Sequence, residues 1–238
     1  MIFSNTEFYY TSPELISDSS LIIIEDEAKH ITKVMRHSIN DEIFVTDGKG
    51  NVYKSIINNV TKKEVIAEIK EKFVQTNKLK NVTFCIPILK SQDRFEFALE
   101  KCVELGITNF LIFSAKKSYK RGVKLERWNK ILLAAMKQSL LSHKPNINYS
   151  DSLFNDISRE TNIFIFEQNS EETISNYFNN ETNINKLLNK KSFFIFGPEG
   201  GLTKEELNIE GSIKLQLTKN RLRAETAVVA VGSFINLL

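Results

Sequence analysis

The chain has 238 residues, of which 42% are hydrophobic and 26% are charged, with 9 glycines and 4 prolines. These values are typical of a folded protein with one large domain or two smaller ones, and they exclude fibrous and disordered chains. No apolar run reaches the roughly 18 residues of a membrane span, and the amino terminus lacks the pattern of an export signal. We therefore expect a cytoplasmic protein with no membrane partner.

The formal net charge of +3 is distributed unevenly along the chain. Between Lys116 and Lys144 there are nine Lys or Arg residues and a single acid, Glu126. Such a basic segment is either a solvated helix face or a surface for a polyanion, of which nucleic acid is the commonest.

The first 74 residues predict a small antiparallel β-barrel that carries one short helix. We expect strands over residues 21–24, 42–46, 52–57 and 64–71, and a helix over residues 25–37. Residues 47–51 contain two glycines between β-rich runs and predict a hairpin loop. Small barrels often present a face to nucleic acid. A polar linker over residues 75–81 follows.

From Val82 onward, strands alternate with helices, which predicts an α/β domain with a parallel sheet. The strands are expected over residues 82–89, 109–113, 162–166, 192–196 and 213–217. Apolar stripes at helical spacing place Cys102 and Trp128 on buried helix faces. Cys85 lies in a strand, and because neither cysteine has metal-ligand spacing, we expect both in the core and no metal site.

Two segments follow strands of this sheet, at the edge where ligands bind to open parallel sheets. In the first, Gly197–Gly201, glycines allow close approach of the backbone, and Glu199 would repel phosphate and favour a cationic ligand. In the second, Arg221–Ala227, two arginines stand close together in a chain whose surface charge is mostly lysine. The alternatives are a βα turn without a ligand and a surface pair between Arg223 and Glu225.

Together these two segments resemble the carboxyl-terminal signature of the ribosomal RNA small subunit methyltransferase E family, which belongs to the SPOUT superfamily. Further segments of the chain resemble the same family in order: His30–Arg36, Asp47–Gly50, Lys90–Gly106 and Ala135–Ser139. The resemblance implies a PUA-like β-barrel over residues 1–74 as an RNA-binding accessory. It also implies a SPOUT trefoil-knot domain with a parallel sheet over residues 75–238, which forms a homodimer through the knot.

The activity implied by the resemblance is transfer of a methyl group from S-adenosylmethionine to N3 of a uridine in 16S ribosomal RNA of the small subunit. One alternative is a SPOUT enzyme with another target, either a ribose 2′-hydroxyl or a different base. The other is a non-catalytic RNA-binding module with the same fold.

The resemblance, together with the two strand-end segments, indicates three groups of site residues. The catalytic candidates are Arg223, which would stabilise negative charge on the uracil oxygens, and Glu225, which would take the proton or orient a neighbour; solvent is the alternative proton acceptor. The cofactor-binding candidates are Gly197, Pro198, Glu199, Gly200, Gly201, Leu217, Leu222, Arg223, Ala224 and Thr226. The RNA-binding candidates are His30, Arg36, Arg94, Lys117, Lys120, Arg121, Lys124, Gln138 and Arg221.

The chain departs from the family pattern at Thr218, where the family usually has glycine. The family also usually has Glu-Arg near Lys116 and Lys117, and an arginine shortly after the Gln-Ser pair, where this chain has Leu140 and Leu141. The final residues 227–238 are almost wholly apolar, so we expect a partner subunit to cover them.

Overall fold

The structure is a computed structural model that describes residues 6–119, 122–153 and 161–238. It divides into two compact units. The first unit comprises Met1–Asn77 and Leu133–Lys144, and the second comprises Lys78–Leu132 and Pro145–Leu238. The predicted boundary at residues 74 and 75 lies close to the first division, whereas the inclusion of residues 133–144 in the first unit was not predicted.

The first unit contains a five-stranded mixed sheet. Its strands are β1 Phe8–Tyr10, β2 Ser20–Ile24, β3 Glu42–Thr46, β4 Asn51–Val60 and β5 Glu64–Val74. The strand order is β1-β3-β4-β5-β2, in which β1 is parallel to β3 and the other neighbours are antiparallel. All four predicted strands are confirmed, but the expectation of a purely antiparallel unit is wrong because the unpredicted β1 pairs in parallel.

Helix α1, Glu25–Lys29, continues as a π-helical turn over His30–Val34. The predicted helix over residues 25–37 therefore ends three residues early. Arg36 has a φ of 60°, a left-handed conformation that cannot continue a right-handed helix. Ala28 and Ile31 are buried with the apolar side chains of the sheet.

The hairpin loop over residues 47–51 packs closely against residues 142–144 of the same unit. The Gly50 N–H donates to the Ser142 carbonyl at 3.0 Å, and the Lys144 N–H donates to the Gly48 carbonyl at 2.9 Å. A Cβ at Gly50 would lie 2.7 Å from Nε2 of His143, so a side chain there is excluded. The two glycines of this motif therefore serve packing as well as turn formation.

The second unit contains a six-stranded parallel sheet in the order β11-β9-β10-β6-β7-β8. Its strands are β6 Val82–Pro87, β7 Asn109–Phe113, β8 Asn146–Ser150, β9 Asn162–Phe166, β10 Ser192–Ile195 and β11 Ser212–Leu215. The helices are α2 Gln92–Glu104, α3 Leu125–Gln138, α4 Ile174–Tyr177, α5 Glu181–Asn189, α6 Lys204–Leu207 and α7 Ala224–Asn236. Residues 133–138 of α3 belong to the first unit. The five predicted strands and the parallel sheet are confirmed, and β8 was not predicted.

The core of the second unit is rich in phenylalanine. The rings of Phe166 and Phe196 are nearly parallel, with centroids 5.0 Å apart, where β9 and β10 end. Cys85 and Cys102 are fully buried, as predicted, and burial raises the pKa of the Cys102 thiol. Trp128 is only 3% exposed, and its ring lies 5.0 Å from that of Phe95, which confirms it as a core residue.

Helix α7 buries part of its apolar side chains within the chain. Val228, Val231 and Ile235 are buried, and a Cβ on Gly232 would lie 3.3 Å from Cδ1 of Leu105. Leu237, 83% exposed, is the exposed large apolar side chain of residues 227–238. Val229 and Phe234 are half-buried and Ala230 is exposed, so the expectation that a partner subunit covers this segment stays a prediction. No helix among the described residues combines the length and apolarity needed to cross a membrane.

Candidate functional site

A cavity of about 630 Å³ lies where β9, β10 and β11 end. Because these three strands are parallel neighbours in the sheet, the segments that follow them meet at one edge. Three segments line the cavity. The first is Phe166–Gln168 at the end of β9, and the second is Phe196–Gly201 after β10. The third lies around the end of β11 and the start of α7 and contributes Leu215, Leu217 and residues 221–225. The predicted cofactor-binding residues all line this cavity except Thr226.

The glycine segment after β10 forms a tight turn that one hydrogen bond closes, from the Gly201 N–H to the Pro198 carbonyl at 2.8 Å. Gly201 has a φ of 70°, which favours glycine. On the other side of the segment, a Cβ at Gly200 would lie only 3.1 Å from Cβ of Lys117. A larger residue at position 200 would therefore have to displace either Lys117 or the cavity wall.

The start of α6 anchors the other end of this glycine segment. Thr203 and Glu206 form a capping box, in which the Thr203 N–H donates to Oε2 of Glu206 at 2.7 Å. The second carboxylate oxygen of Glu206, Oε1, accepts the Lys116 N–H at 2.8 Å. One buried carboxylate thus fixes both the helix start and the first residue of the basic segment.

Glu199 lines the cavity, but its carboxylate has a partner within the chain. Its Oε1 accepts the Lys90 N–H at 3.0 Å. This bond ties the loop after β10 to the chain that follows the adjacent strand β6. Glu199 is therefore an anchor of the glycine segment through Oε1.

Arg94, predicted to bind RNA, also lines the cavity and lies beside the catalytic candidate Glu225. Nε of Arg94 is 3.6 Å from Oε1 of Glu225. The Glu225 side chain is 12% exposed, whereas that of Arg94 is 49% exposed. The carboxylate is therefore held inside, and the guanidinium reaches toward solvent.

Arg221 and Arg223 line the cavity from the loop before α7. Arg223 has an extended backbone and immediately precedes the first residue of the helix. Both arginines are exposed, and within the described residues neither guanidinium has a hydrogen-bond or ion-pair partner. Their charges are available to an anionic group.

Sequence reasoning missed Gln168, which holds the loop after β11. Its Nε2 donates to the carbonyl oxygens of Thr218 and Lys219, at 3.0 and 3.2 Å. In return, the side-chain amide of Gln216 donates to the Gln168 carbonyl. Thr218, the departure from the family pattern, is thus held through its main chain. Glu167, the neighbour of Gln168 on the cavity wall, was also missed.

Ion pairs neutralise part of the basic segment between residues 116 and 144. In the second unit, Arg127 donates through Nε and Nη2 to both carboxylate oxygens of Glu96, at 2.6 and 2.7 Å. Arg127 is the main reason that the pKa of Glu96 lies below its usual value. In the first unit, Nζ of Lys137 lies 2.6 Å from Oε2 of Glu27. The sequence count therefore overstates the free charge of the segment.

The RNA-binding candidates of the basic segment have different surroundings. Lys124 is exposed, and its Nζ donates to Oε1 of Gln92 at 2.7 Å. Lys117 packs on Gly200 and donates from Nζ to the Leu202 carbonyl at 3.4 Å. The candidates Lys120 and Arg121 lie outside the described residues.

The remaining RNA-binding candidates lie in the first unit. Arg36 and Gln138 are exposed, and His30 is half-buried with its ring 6.2 Å from that of Tyr9. Leu140 stands near the position where the family usually has an arginine. Its side chain packs against the buried residues Phe8 and Val52. Its apolar character thus has a packing role in this chain.

No group of three or more His, Cys, Asp or Glu residues in the described parts of the chain is placed to hold a metal ion.

Two family models match the chain. Residues 75–236 match the RNA methyltransferase domain, and residues 23–70 match the RNA methyltransferase PUA domain. The first of these matches covers more than half of the chain and includes every residue that lines the cavity.

Individual proteins are similar to the chain over most of its length. The ribosomal RNA small subunit methyltransferase E of Rickettsia conorii is 26% identical over 234 residues, which are 96% of this chain and 94% of that protein. The protein of the same description from Mesomycoplasma hyopneumoniae is 30% identical over 200 residues, 80% of this chain and 84% of that protein. A crystal structure of ribosomal RNA small subunit methyltransferase E from Neisseria gonorrhoeae, bound to S-adenosyl methionine, superposes with a TM-score of 0.83. It is 26% identical and covers 98% of both chains.

Proposed function

Since the chain belongs to the ribosomal RNA small subunit methyltransferase E family of RNA methyltransferases, we propose that it methylates N3 of a uridine in 16S ribosomal RNA. The methyl donor in this proposal is S-adenosylmethionine. The observation that carries the proposal is the single cavity at the ends of β9, β10 and β11, which brings together the glycine segment and the two arginines.

The residues of the cavity fit this donor. Its volume of about 630 Å³ is within the range of roughly 300–1,000 Å³ typical of small-molecule sites. Phe166, Leu215 and Leu217 provide apolar walls for a flat base, and the glycine segment exposes main-chain groups. When bound, S-adenosylmethionine supplies a methyl group on a positively charged sulfur.

Arg223 is the residue we assign to the reacting uracil. N3 of uridine carries a proton and lies on the pairing edge, so the base must be unpaired and must lose that proton. As the proton leaves, negative charge develops on the uracil carbonyl oxygens. A guanidinium without a partner in the described part of the chain, on the cavity wall, would stabilise that charge.

Glu225 acts as a positioning residue in this proposal. Its carboxylate faces Arg94, so it holds a cation at the cavity wall rather than taking the N3 proton. Solvent then accepts the proton. Arg94, with about half of its side chain exposed, would contact the RNA near the reacting base.

The first unit and the free cations of the basic segment would bind the rest of the RNA. The first unit contains the part of the chain that matches the PUA domain of RNA methyltransferases, which supports a role as an RNA-binding accessory. Exposed lysines such as Lys124 suit phosphate contacts, which depend on charge and not on base sequence. For this role we propose a cytoplasmic location, with 16S ribosomal RNA or the small subunit as the partner.

We also propose a trefoil knot within residues 75–238 and a homodimer formed through it. The support is the resemblance to SPOUT enzymes together with the outer face of the last helix. That face carries small or polar side chains, which permit close approach of a second helix: Thr226, Ala230 and Ser233. Leu237 adds an exposed apolar side chain next to them.

The test is methyl transfer in vitro, with labelled S-adenosylmethionine and either naked 16S ribosomal RNA or small subunits, followed by nucleoside analysis. The proposal expects label in 3-methyluridine. Label in a ribose or in another base would identify a different SPOUT activity. Donor and RNA binding to a folded protein without any transfer would identify a non-catalytic module.

A further inference from the structure

Three carboxylates line the cavity, and two of them have partners within the chain. Glu199 accepts the Lys90 N–H, and Glu225 faces Arg94. The third is Glu167, whose carboxylate has no hydrogen-bond or ion-pair partner in residues 6–119, 122–153 and 161–238. Glu199 and Glu225 use only Oε1 in these contacts, so Glu167 is the lining carboxylate with both oxygens available to a ligand.

The position of Glu167 in the sheet places it beside the middle of the cavity. It directly follows β9, which lies between β11 and β10 in the sheet. The Glu167 N–H donates to the Leu215 carbonyl at 3.1 Å, so its main chain is fixed where the two strands end. The glycine segment after β10 is on one side of it, and the loop before α7 is on the other.

The middle of S-adenosylmethionine is its ribose, with adenine on one side and the sulfonium and amino-acid group on the other. Two adjacent hydroxyls are well matched to a carboxylate, which only accepts hydrogen bonds and has two oxygens. In dinucleotide-binding sheets, an acidic residue hydrogen-bonds a ribose hydroxyl in the same way. We infer that Glu167 binds the 2′- and 3′-hydroxyls of the donor ribose. The inference rests on the proposed function, because it takes S-adenosylmethionine as the ligand.

Three related ligands separate the ribose from the other groups that a carboxylate could bind. S-adenosylmethionine, S-adenosylhomocysteine and 5′-methylthioadenosine all contain the ribose. The first two share the amino-acid group, and only the first has the sulfonium charge. Calorimetry would give the Kd of each ligand for the wild-type protein and for Glu167→Gln, which keeps the size of the side chain and removes its charge.

We expect Glu167→Gln to raise the Kd of all three ligands by a similar factor, about tenfold, since a charge-assisted pair of hydrogen bonds is weakened. A higher Kd for S-adenosylmethionine alone would assign the carboxylate to the sulfonium and overturn the inference. A higher Kd for S-adenosylmethionine and S-adenosylhomocysteine, but not for 5′-methylthioadenosine, would assign the carboxylate to the ammonium group and would also overturn the inference. Unchanged Kd values for all three would show that Glu167 makes no contact with the donor.

The matched control is Glu171→Gln, which changes an exposed glutamate that does not line the cavity and lies four residues further along. It should leave all three Kd values within about twofold, and both variants should unfold at the wild-type temperature because exposed or half-buried unpaired carboxylates contribute little to stability. Wild-type protein that binds none of the three ligands would overturn the proposed donor itself. Wild-type binding with an unaffected Glu167→Gln variant would overturn this inference alone.

Discussion

Arg94 and Glu225 form an ion pair on the wall of the cavity, with 3.6 Å between Nε and Oε1. Each residue lies in the first turn of its helix, Arg94 in α2 and Glu225 in α7. The pair therefore joins the starts of the two helices that pack together in the second unit. A carboxylate held in this way is suited to fixing a guanidinium and poorly suited to removing a proton from N3.

The first prediction tests that role of Glu225. Glu225→Gln should lower kcat by no more than about tenfold, since an ion pair of this exposure is worth about 1 kcal/mol or less. The pH profile of kcat should keep its wild-type shape. Steady-state kinetics over a range of pH provides the measurement. Removal of a general base lowers kcat by about 10²–10⁴ and removes the acidic limb of its pH profile. That result would show that Glu225 takes the N3 proton.

The second prediction concerns the glycine segment. Gly200→Val should raise the Kd of S-adenosylmethionine at least tenfold, because even a Cβ at position 200 would lie 3.1 Å from Cβ of Lys117. Overpacking of this kind costs about 1–3 kcal/mol. Calorimetry measures the effect. Gly122→Val is the control, since no atom lies within 4 Å of a Cβ built there; equal losses in both variants would refute the close approach at Gly200.

The third prediction separates chemistry from docking at Arg223. Arg223→Ala should lower kcat by about 10²–10³, the usual effect of removing one donor from a developing oxyanion. RNA affinity should stay within about twofold of the wild-type value. Single-turnover kinetics at saturating RNA, with binding measured in parallel, provides both readouts. Weaker RNA binding with normal turnover at saturation would make Arg223 a docking residue.

The fourth prediction concerns the salt dependence of RNA binding. Each phosphate contact to single-stranded RNA contributes about 0.7 to the slope of log affinity against log salt. Replacing Lys117, Lys120 and Lys124 with Gln should therefore flatten the slope by up to about 2. Arg127→Gln is the contrasting variant, because Arg127 is paired with Glu96. This variant should lower the melting temperature and leave the salt slope nearly unchanged. A flatter slope with an unchanged melting temperature would show that Arg127 is an RNA contact.

Most strands were predictable because each follows a local pattern. The run Asn162–Phe166 is apolar after its first residue and lacks the alternation of polar and apolar side chains that a half-exposed strand shows. Such a run is typical of a buried parallel strand, and the structure places it within the sheet. By contrast, β1 has only three residues, and β8 contains two asparagines, which are uncommon in strands. Both strands depend on pairing with neighbours that are distant in sequence.

The charge of the basic segment could not be predicted from local counting. Arg127 is neutralised by Glu96 and Lys137 by Glu27, partners 31 and 110 residues away. Only the fold brings these groups together. The same holds for the carboxylate of Glu199, which meets the Lys90 N–H across 109 residues of sequence.

The position of the cavity was predictable from one rule, that ligands bind beyond the carboxyl ends of parallel strands. That rule was applied to the segments after β10 and β11, and both line the cavity. Applied to β9, it would also have indicated Glu167 and Gln168, which directly follow Phe166. Their polar side chains at a strand end were the available signal.

The most direct test of the account is mass-spectrometric mapping of modified nucleosides in 16S ribosomal RNA from cells with and without this protein. The account predicts that one 3-methyluridine is present in the first case and absent in the second, and that a plasmid copy of the wild-type chain restores it whereas Arg223→Ala does not. An unchanged 3-methyluridine content, or loss of a ribose or other base methylation instead, would contradict the assignment of uridine N3 as the target.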